Sequence, residues 1–142
     1  MADFYQHGLI ATMHDLGTIK RDQLERMLER YVVNCQVGLV LPVTADDMRA
    51  EPFDRIIAEL TAVRYVPQIV VALGVAPTAE DYREAVGKVR ALGDRARVLW
   101  TDGARVQSLY QQLNDAGLAV TTPGKGRSVW TAFGYLLADP RL

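Results

Sequence analysis

VGLVLPV, residues 37 to 43, is an unbroken apolar run set between a charged helical segment and the polar TADD that follows it. A run this short and uniformly apolar is expected for a strand covered on both faces, the situation inside a parallel sheet. Pro42, which has no amide hydrogen to give to a ladder, is expected to mark its end. Two further runs read the same way: QIVVAL, residues 68 to 73, with Gly74 as the turn after it, and Ala96 to Trp100.

Between and around these runs the periodicity changes to that of helices. Leu24, Met27, Leu28 and Tyr31 recur at helical spacing with charged residues on the other faces, which predicts an amphipathic helix before the first strand. Phe53, Ile56, Ile57 and Leu60 form a second stripe, Tyr82, Ala85, Val89 and Leu92 a third, and Val106, Leu109, Tyr110 and Leu113 a fourth. Thr78 and Asp81 have the spacing of a capping box, in which two side chains satisfy amides left open at a helix start. A last stripe, Val129, Trp130, Phe133 and Leu137, predicts a helix that starts near Arg127 or Ser128 and runs almost to the terminus. Residues 1 to 18 lack clear periodicity and read as an irregular arm.

The order β-α-β-α-β-α implies right-handed crossovers and an α/β fold, a Rossmann-like parallel sheet with flanking helices. Ligands of such sheets lie beyond the carboxyl ends of the strands, which directs attention to residues 42–52, 74–80, 101–105 and 121–128. Three strands make an unfinished sheet with an exposed edge, so the natural polypeptide is expected to continue beyond Leu142.

Composition narrows the function. The 142 residues suit one compact domain, and a formal net charge of −1 without a basic stripe argues against nucleic acid or anionic membrane as partners. Cys35 is the only cysteine, so an intramolecular disulfide is excluded and a reducing, cytoplasmic setting is expected. Met1 to Ile10 does not read as a secretory signal, and no apolar run approaches the roughly 20 residues of a membrane span. His7 and His14 have no partner ligand at a familiar spacing, so no metal site is assigned.

Two segments carry candidate chemistry. In TTPGKGRSVW, residues 121 to 130, Gly124 and Gly126 flank Lys125 directly before a helix. Glycine permits close backbone approach and a helix N-terminus favours an anion, so Lys125 is placed to put a point charge beside a diphosphate, with Arg127 as a second cation. The alternative is a plain glycine-rich helix start. A P-loop is rejected, because Lys125 is followed by Gly126 instead of Ser or Thr and Ala119 holds the place of the first glycine. In LPVTADD, residues 41 to 47, Asp46 or Asp47 can accept hydrogen bonds from a base or ribose; otherwise these acids cap the following helix or solvate a loop. Asp102 and Gly103 after the third strand read as a turn or cap.

Taken together, MADFYQHGLIATMHDLG, LVLPVTADD, VLWTDGARVQSL and TPGKGRSVW resemble bacterial GT-A-type glycosyltransferases of the glucosyl-3-phosphoglycerate synthase family, most specifically at PGKGRSVW. The resemblance spans essentially the whole chain and implies its N-terminal portion only. It implies the nucleotide-binding half of a GT-A fold, left incomplete, with an N-terminal arm and amphipathic helix over residues 1–36 and a nucleotide-sugar-binding subdomain over residues 37–142. Pro42, Val43, Thr44 and either Asp46 or Asp47 would lie near the nucleoside, with Gly124 and Lys125 near the base or diphosphate. The implied reaction is hexosyl transfer, with retention, from a nucleotide-diphosphate sugar to a small acceptor such as a phosphoglycerate, in an enzyme open to homodimer formation.

Two departures accompany the resemblance. The family's acidic residue after the second strand has no counterpart in ALGVAP, where Gly74 and Val75 stand. The DxD-like motif that holds Mg2+ or Mn2+ on the sugar diphosphate is expected beyond Leu142, so this chain alone is expected to hold no cation and to be inactive, and no catalytic residue is assigned in it. Two other function classes stay open. One is a signalling receiver built on Asp46, Asp47, Asp102 and Lys125, although a receiver needs its lysine at the end of a strand. The other is a noncatalytic nucleotide-binding module.

Overall fold

The computed structural model describes residues 21–35, 37–120 and 122–139, so the irregular arm expected over residues 1 to 18 lies outside the described residues. The chain divides into two compact units, Met1–Cys35 and Gln36–Leu142. In the first, helix α1 (Arg21–Tyr31) forms where the amphipathic spacing placed it, with Asp22 in its first turn and Arg30 in its last, both complementing the helix dipole.

The second unit runs β1 (Gly38–Thr44), α2 (Ala45–Arg49), α3 (Glu51–Ala62), β2 (Gln68–Gly74), α4 (Ala79–Val89), a 3-10 segment (Arg90–Arg95), β3 (Ala96–Trp100), α5 (Ala104–Asp115) and α6 (Lys125–Leu137). Among the described residues the three strands form one parallel sheet in the order β1-β2-β3. The register runs from Gly38↔Gln68 to Thr44↔Gly74 and from Ile69↔Ala96 to Leu73↔Trp100. This is the expected Rossmann-like α/β arrangement, a parallel sheet with helices on both faces.

The pleat of β2 explains the two-sided packing. Ile69, Val71 and Leu73 point to one face, where they are buried with Met48, Phe53, Ile57, Ala85 and Val89 from α2, α3 and α4. Val70 and Ala72 point to the other and pack against Ala132 and Leu136 of α6. Burying each of the larger of these side chains contributes about 1.5–3 kcal/mol. Arg95 ties the 3-10 segment to α3: its guanidinium donates to the carbonyls of Leu60, Val63 and Val66, the open carbonyl end of α3 and the loop beyond it. The capping box of Thr78 and Asp81 forms as expected, and Asp81 also receives Arg49 of α2.

Several expectations are corrected. Only β2 is buried on both faces; β1 and β3 each have a single neighbouring strand among the described residues and are half-buried. Pro42 lies inside β1, opposite Ala72, because an edge strand has alternate amides facing away from its neighbour and tolerates a missing one there. Gly74 is the last residue of β2, not a turn. The stripe of Phe53, Ile56, Ile57 and Leu60 falls within α3 as expected, but a further short helix, α2, precedes it, parted from α3 at Ala50 just before the helix start that contains Pro52. Helix α6 begins at Lys125, earlier than expected, and its buried face is Ser128, Thr131, Ala132 and Leu136. Trp130 (50% exposed), Phe133 (52%) and Leu137 (84%) face outward instead. The sheet dictates this choice: a Cβ on Gly38 would lie 3.2 Å from Leu136 Cδ1, so β1 and β2 approach α6 through glycine and alanine and leave no depth for tryptophan or phenylalanine.

Candidate functional site

The carboxyl ends of all three strands open on one cleft of about 320 Å³, closed on its far side by the loop before α6 and the first turn of that helix. Pro42, Val43 and Thr44 from β1, Asp47 from α2, and Gly124 and Lys125 at the start of α6 all line it. Residues separated by some eighty positions in sequence are thus brought to one place by the parallel topology. Asp46 is exposed and is not part of the lining.

Each wall has a local cause. Thr44 ends β1 in extended conformation and caps α2, its Oγ1 accepting the Asp47 amide at 3.1 Å. Asp47 answers with Oδ2, which accepts the Thr44 hydroxyl at 2.7 Å. The two residues close a capping box, so the structural alternative weighed for these acids is realised by Asp47 while the same residue faces the cleft. On β2, Gly74 lets the floor close: a Cβ there would lie 3.2 Å from Thr101 Oγ1 and 3.3 Å from Ser128 Oγ. Thr101 is buried, its amide and its hydroxyl both donating to the Leu73 carbonyl at 2.8 and 2.9 Å.

Beyond Gly74 the chain turns through Val75, which adopts φ 50°, a left-handed conformation rare for a β-branched residue. Its side chain is 72% exposed at the rim. The next residue is held from two sides: Ala76 donates its amide to Asp102 Oδ2 at 2.8 Å, and its carbonyl accepts Trp100 Nε1 at 2.7 Å. The Trp100 indole stacks on Tyr82 at 5.4 Å between centroids and leaves no room for a side chain on Gly103, where a Cβ would meet Trp100 Cε3 at 2.7 Å. Asp102 does not cap α5, whose N-cap is Gly103 with no side-chain bond; it lines the cleft and fixes the β2 loop.

The fourth wall is basic. Gly124 precedes α6 with φ 155°, a value L side chains rarely adopt, and no acidic residue occupies the first turn of the helix. The positive end of a 13-residue helix therefore meets the cleft together with Lys125 and Arg127. Arg127 is held in place, its guanidinium 4.3 Å over the Tyr110 ring and its Nη1 donating to the Val120 carbonyl at 3.4 Å. Lys125 is exposed at the helix start. The cleft thus pairs a cationic wall suited to phosphate oxygens with two carboxylates, Asp47 and Asp102, suited to hydroxyl or N–H donors.

The strand ends that form the cleft are legible in the sequence, but Asp102 reads there as a turn or cap, Ser128 only as a helix start, and Thr101 has no part in the site so read. Asp102 is marked by its place just beyond a strand; nothing in the spacing reveals a buried threonine or serine meeting a glycine several elements earlier in the chain. Among the described residues no group of three or more His, Cys, Asp or Glu could hold a metal ion. Among them, too, no helix is long and apolar enough to cross a membrane. The receiver arrangement is not favoured, since Lys125 opens a helix and does not end a strand.

The chain is similar over 98% of its length to a glucosyl-3-phosphoglycerate synthase of Persephonella marina, with 37% identity over 139 residues that make up 34% of that relative. It is likewise 33% identical over 133 residues, 93% of its length, to a glucosyl-3-phosphoglycerate synthase of Methanococcoides burtonii, of which it covers 32%. The resemblance carried by the sequence motifs is borne out, and the chain spans about a third of the length of the curated relatives it matches. No family model matches the chain, and no solved structure gives a significant match.

Proposed function

We propose that these residues are the donor-binding part of a nucleotide-sugar-dependent glycosyltransferase that moves a hexosyl group to a small acceptor such as a phosphoglycerate. The observation that carries the reading is the convergence of Pro42, Val43, Thr44, Asp47, Gly124 and Lys125 on one cleft at the carboxyl ends of the sheet. A nucleotide-diphosphate sugar has an anionic centre between two hydroxyl-rich ends. The cationic start of α6 matches the centre, and the carboxylates of Asp47 and Asp102 match the ends. Similarity along nearly the whole chain to proteins named glucosyl-3-phosphoglycerate synthase supports the same donor and acceptor classes.

In this reading residues 37–142 are the donor-binding subdomain of a GT-A fold, and Lys125 stabilises the diphosphate as leaving group. Mg2+ or Mn2+ serves the whole enzyme through ligands outside these residues, and this chain alone has no transferase activity. A cytoplasmic setting, suited to the exposed free thiol of Cys35, and a homodimeric enzyme belong to the same proposal. Calorimetric titration of the chain with UDP-glucose, GDP-mannose and the free nucleotides, with and without Mg2+, tests it. Saturable binding of one donor supports the reading and identifies the base; absence of binding by every one of them contradicts it.

A further inference from the structure

We propose that Asp102 is a specificity-determining residue of the cleft, its carboxylate accepting hydrogen bonds from a vicinal diol of the bound nucleotide sugar. This rests on the reading of the cleft as a nucleotide-sugar site.

Three observations lead there. First, Asp102 follows β3 in a register that sets Leu73 beside Trp100, so it stands level with Val75 at the rim, half-buried and lining the cleft. Secondly, its orientation is fixed from a distant part of the chain: Oδ2 accepts the Ala76 amide at 2.8 Å, and the opposite side of Ala76 is held by Trp100 Nε1 at 2.7 Å. Among the described residues no hydrogen bond reaches Oδ1. A half-buried carboxylate with one oxygen anchored and one unsatisfied is an acceptor whose direction is set before any ligand arrives.

Thirdly, the cleft sorts ligand groups by charge. A carboxylate can only accept, so phosphate oxygens are repelled from Asp102 and drawn to the start of α6 with Lys125. What remains for Asp102 is a donor group, and two adjacent hydroxyls match the two oxygens of a carboxylate. Asp47 competes less well for this part, being exposed and already closing a local capping box with Thr44. A vicinal diol is present in the ribose and in the hexose of a nucleotide sugar, and the test separates the two.

The chain is titrated with UDP and GDP, each beside its 2′-deoxy form, and with UDP-glucose and GDP-mannose, for wild type, Asp102→Asn and Lys125→Ala. Asparagine keeps a carbonyl oxygen for the Ala76 amide but removes the charge that strengthens a bond to a hydroxyl. If the ribose is the partner, wild type prefers the ribonucleotide by on the order of tenfold, the worth of one hydrogen bond to a charged group, and Asp102→Asn loses most of that preference. If the hexose is the partner, the variant loses instead the wild-type gain of the nucleotide sugar over the free diphosphate. Either result supports the proposal.

Nucleotide binding that is weakened by Lys125→Ala, with both ratios unchanged in Asp102→Asn, overturns this inference and leaves the donor-site reading intact. Absence of binding by every nucleotide overturns both. Should Asp102→Asn fail to fold, the wild-type protein still answers: the Ala76 amide resonance, bonded to Asp102, shifts on adding the diol-containing ligand and not its deoxy form. Equal shifts with both ribose forms, and with and without the hexose, overturn the proposal.

Discussion

The Asp102 carboxylate accepts the amide hydrogen of Ala76 at 2.8 Å, so the second residue beyond β3 sets the shape of the loop after β2. Trp100, two residues earlier, takes the Ala76 carbonyl through its indole N–H, and together they hold Val75 in a left-handed conformation at the rim of the cleft. The rim is therefore built by tertiary hydrogen bonds against the local preference of valine, and this can be measured.

Replacing Val75 by glycine is expected to raise stability by about 1 kcal/mol, since a left-handed backbone costs an L side chain roughly 1–2 kcal/mol and glycine gives back part of that relief in unfolded-state entropy. Val75 is 72% exposed, so little packing is lost. Urea unfolding of Val75→Gly checks this; a clear loss of stability would show that the side chain does more at the rim than the strain it suffers.

Gly74→Ala is expected to cost about 1–3 kcal/mol, because the new methyl group meets Thr101 Oγ1 and Ser128 Oγ, which a packed floor cannot move without strain. The same change narrows the cleft, so nucleotide affinity falls along with the unfolding midpoint. Thermal unfolding and a binding titration on one sample give both.

Arg95→Ala removes the donors to the Leu60, Val63 and Val66 carbonyls and is expected to destabilise the fold by about 2–3 kcal/mol. Arg95→Lys restores only part of it, since an ammonium cannot reproduce the guanidinium fork. Denaturant midpoints of the two variants should fall in that order.

Asp81 gives the acid response. Hydrogen bonds from Thr78, then from Arg49, hold its carboxyl at about 2, below its ordinary 3.8. A folded-state value below the unfolded one means that the ionised group stabilises the fold above about pH 4, and that this contribution is lost as pH falls through about 2. Asp81→Asn is therefore expected to be less stable than wild type at neutral pH, with the gap closing between those two values. A gap independent of pH would contradict the assignment.

Sheet and helix order were legible because each strand is a short apolar run and each connection keeps a helical period. The capping box at Thr78 was legible because it depends on residues three apart. The face of α6 was not: its apolar stripe through Trp130, Phe133 and Leu137 has the right spacing, yet the close approach of Gly38 and Ala72 selects the face with Ser128, Ala132 and Leu136. Pro42 lies within β1 and does not end it, because whether a strand is an edge depends on its neighbours, which a single run cannot show. In the site, residues directly after strands were found from topology alone, whereas the role of Asp102 required knowing that Ala76 lies across from it.

The most direct test of the account is a backbone amide NMR titration of the chain with UDP-glucose and GDP-mannose. Perturbed resonances are expected to cluster at Val43, Thr44 and Asp47, at Gly74 to Ala76, at Thr101 and Asp102, and at Gly124 to Ser128, and Lys125→Ala is expected to weaken the response. Perturbations centred elsewhere, or a saturating response insensitive to Lys125→Ala, would contradict it.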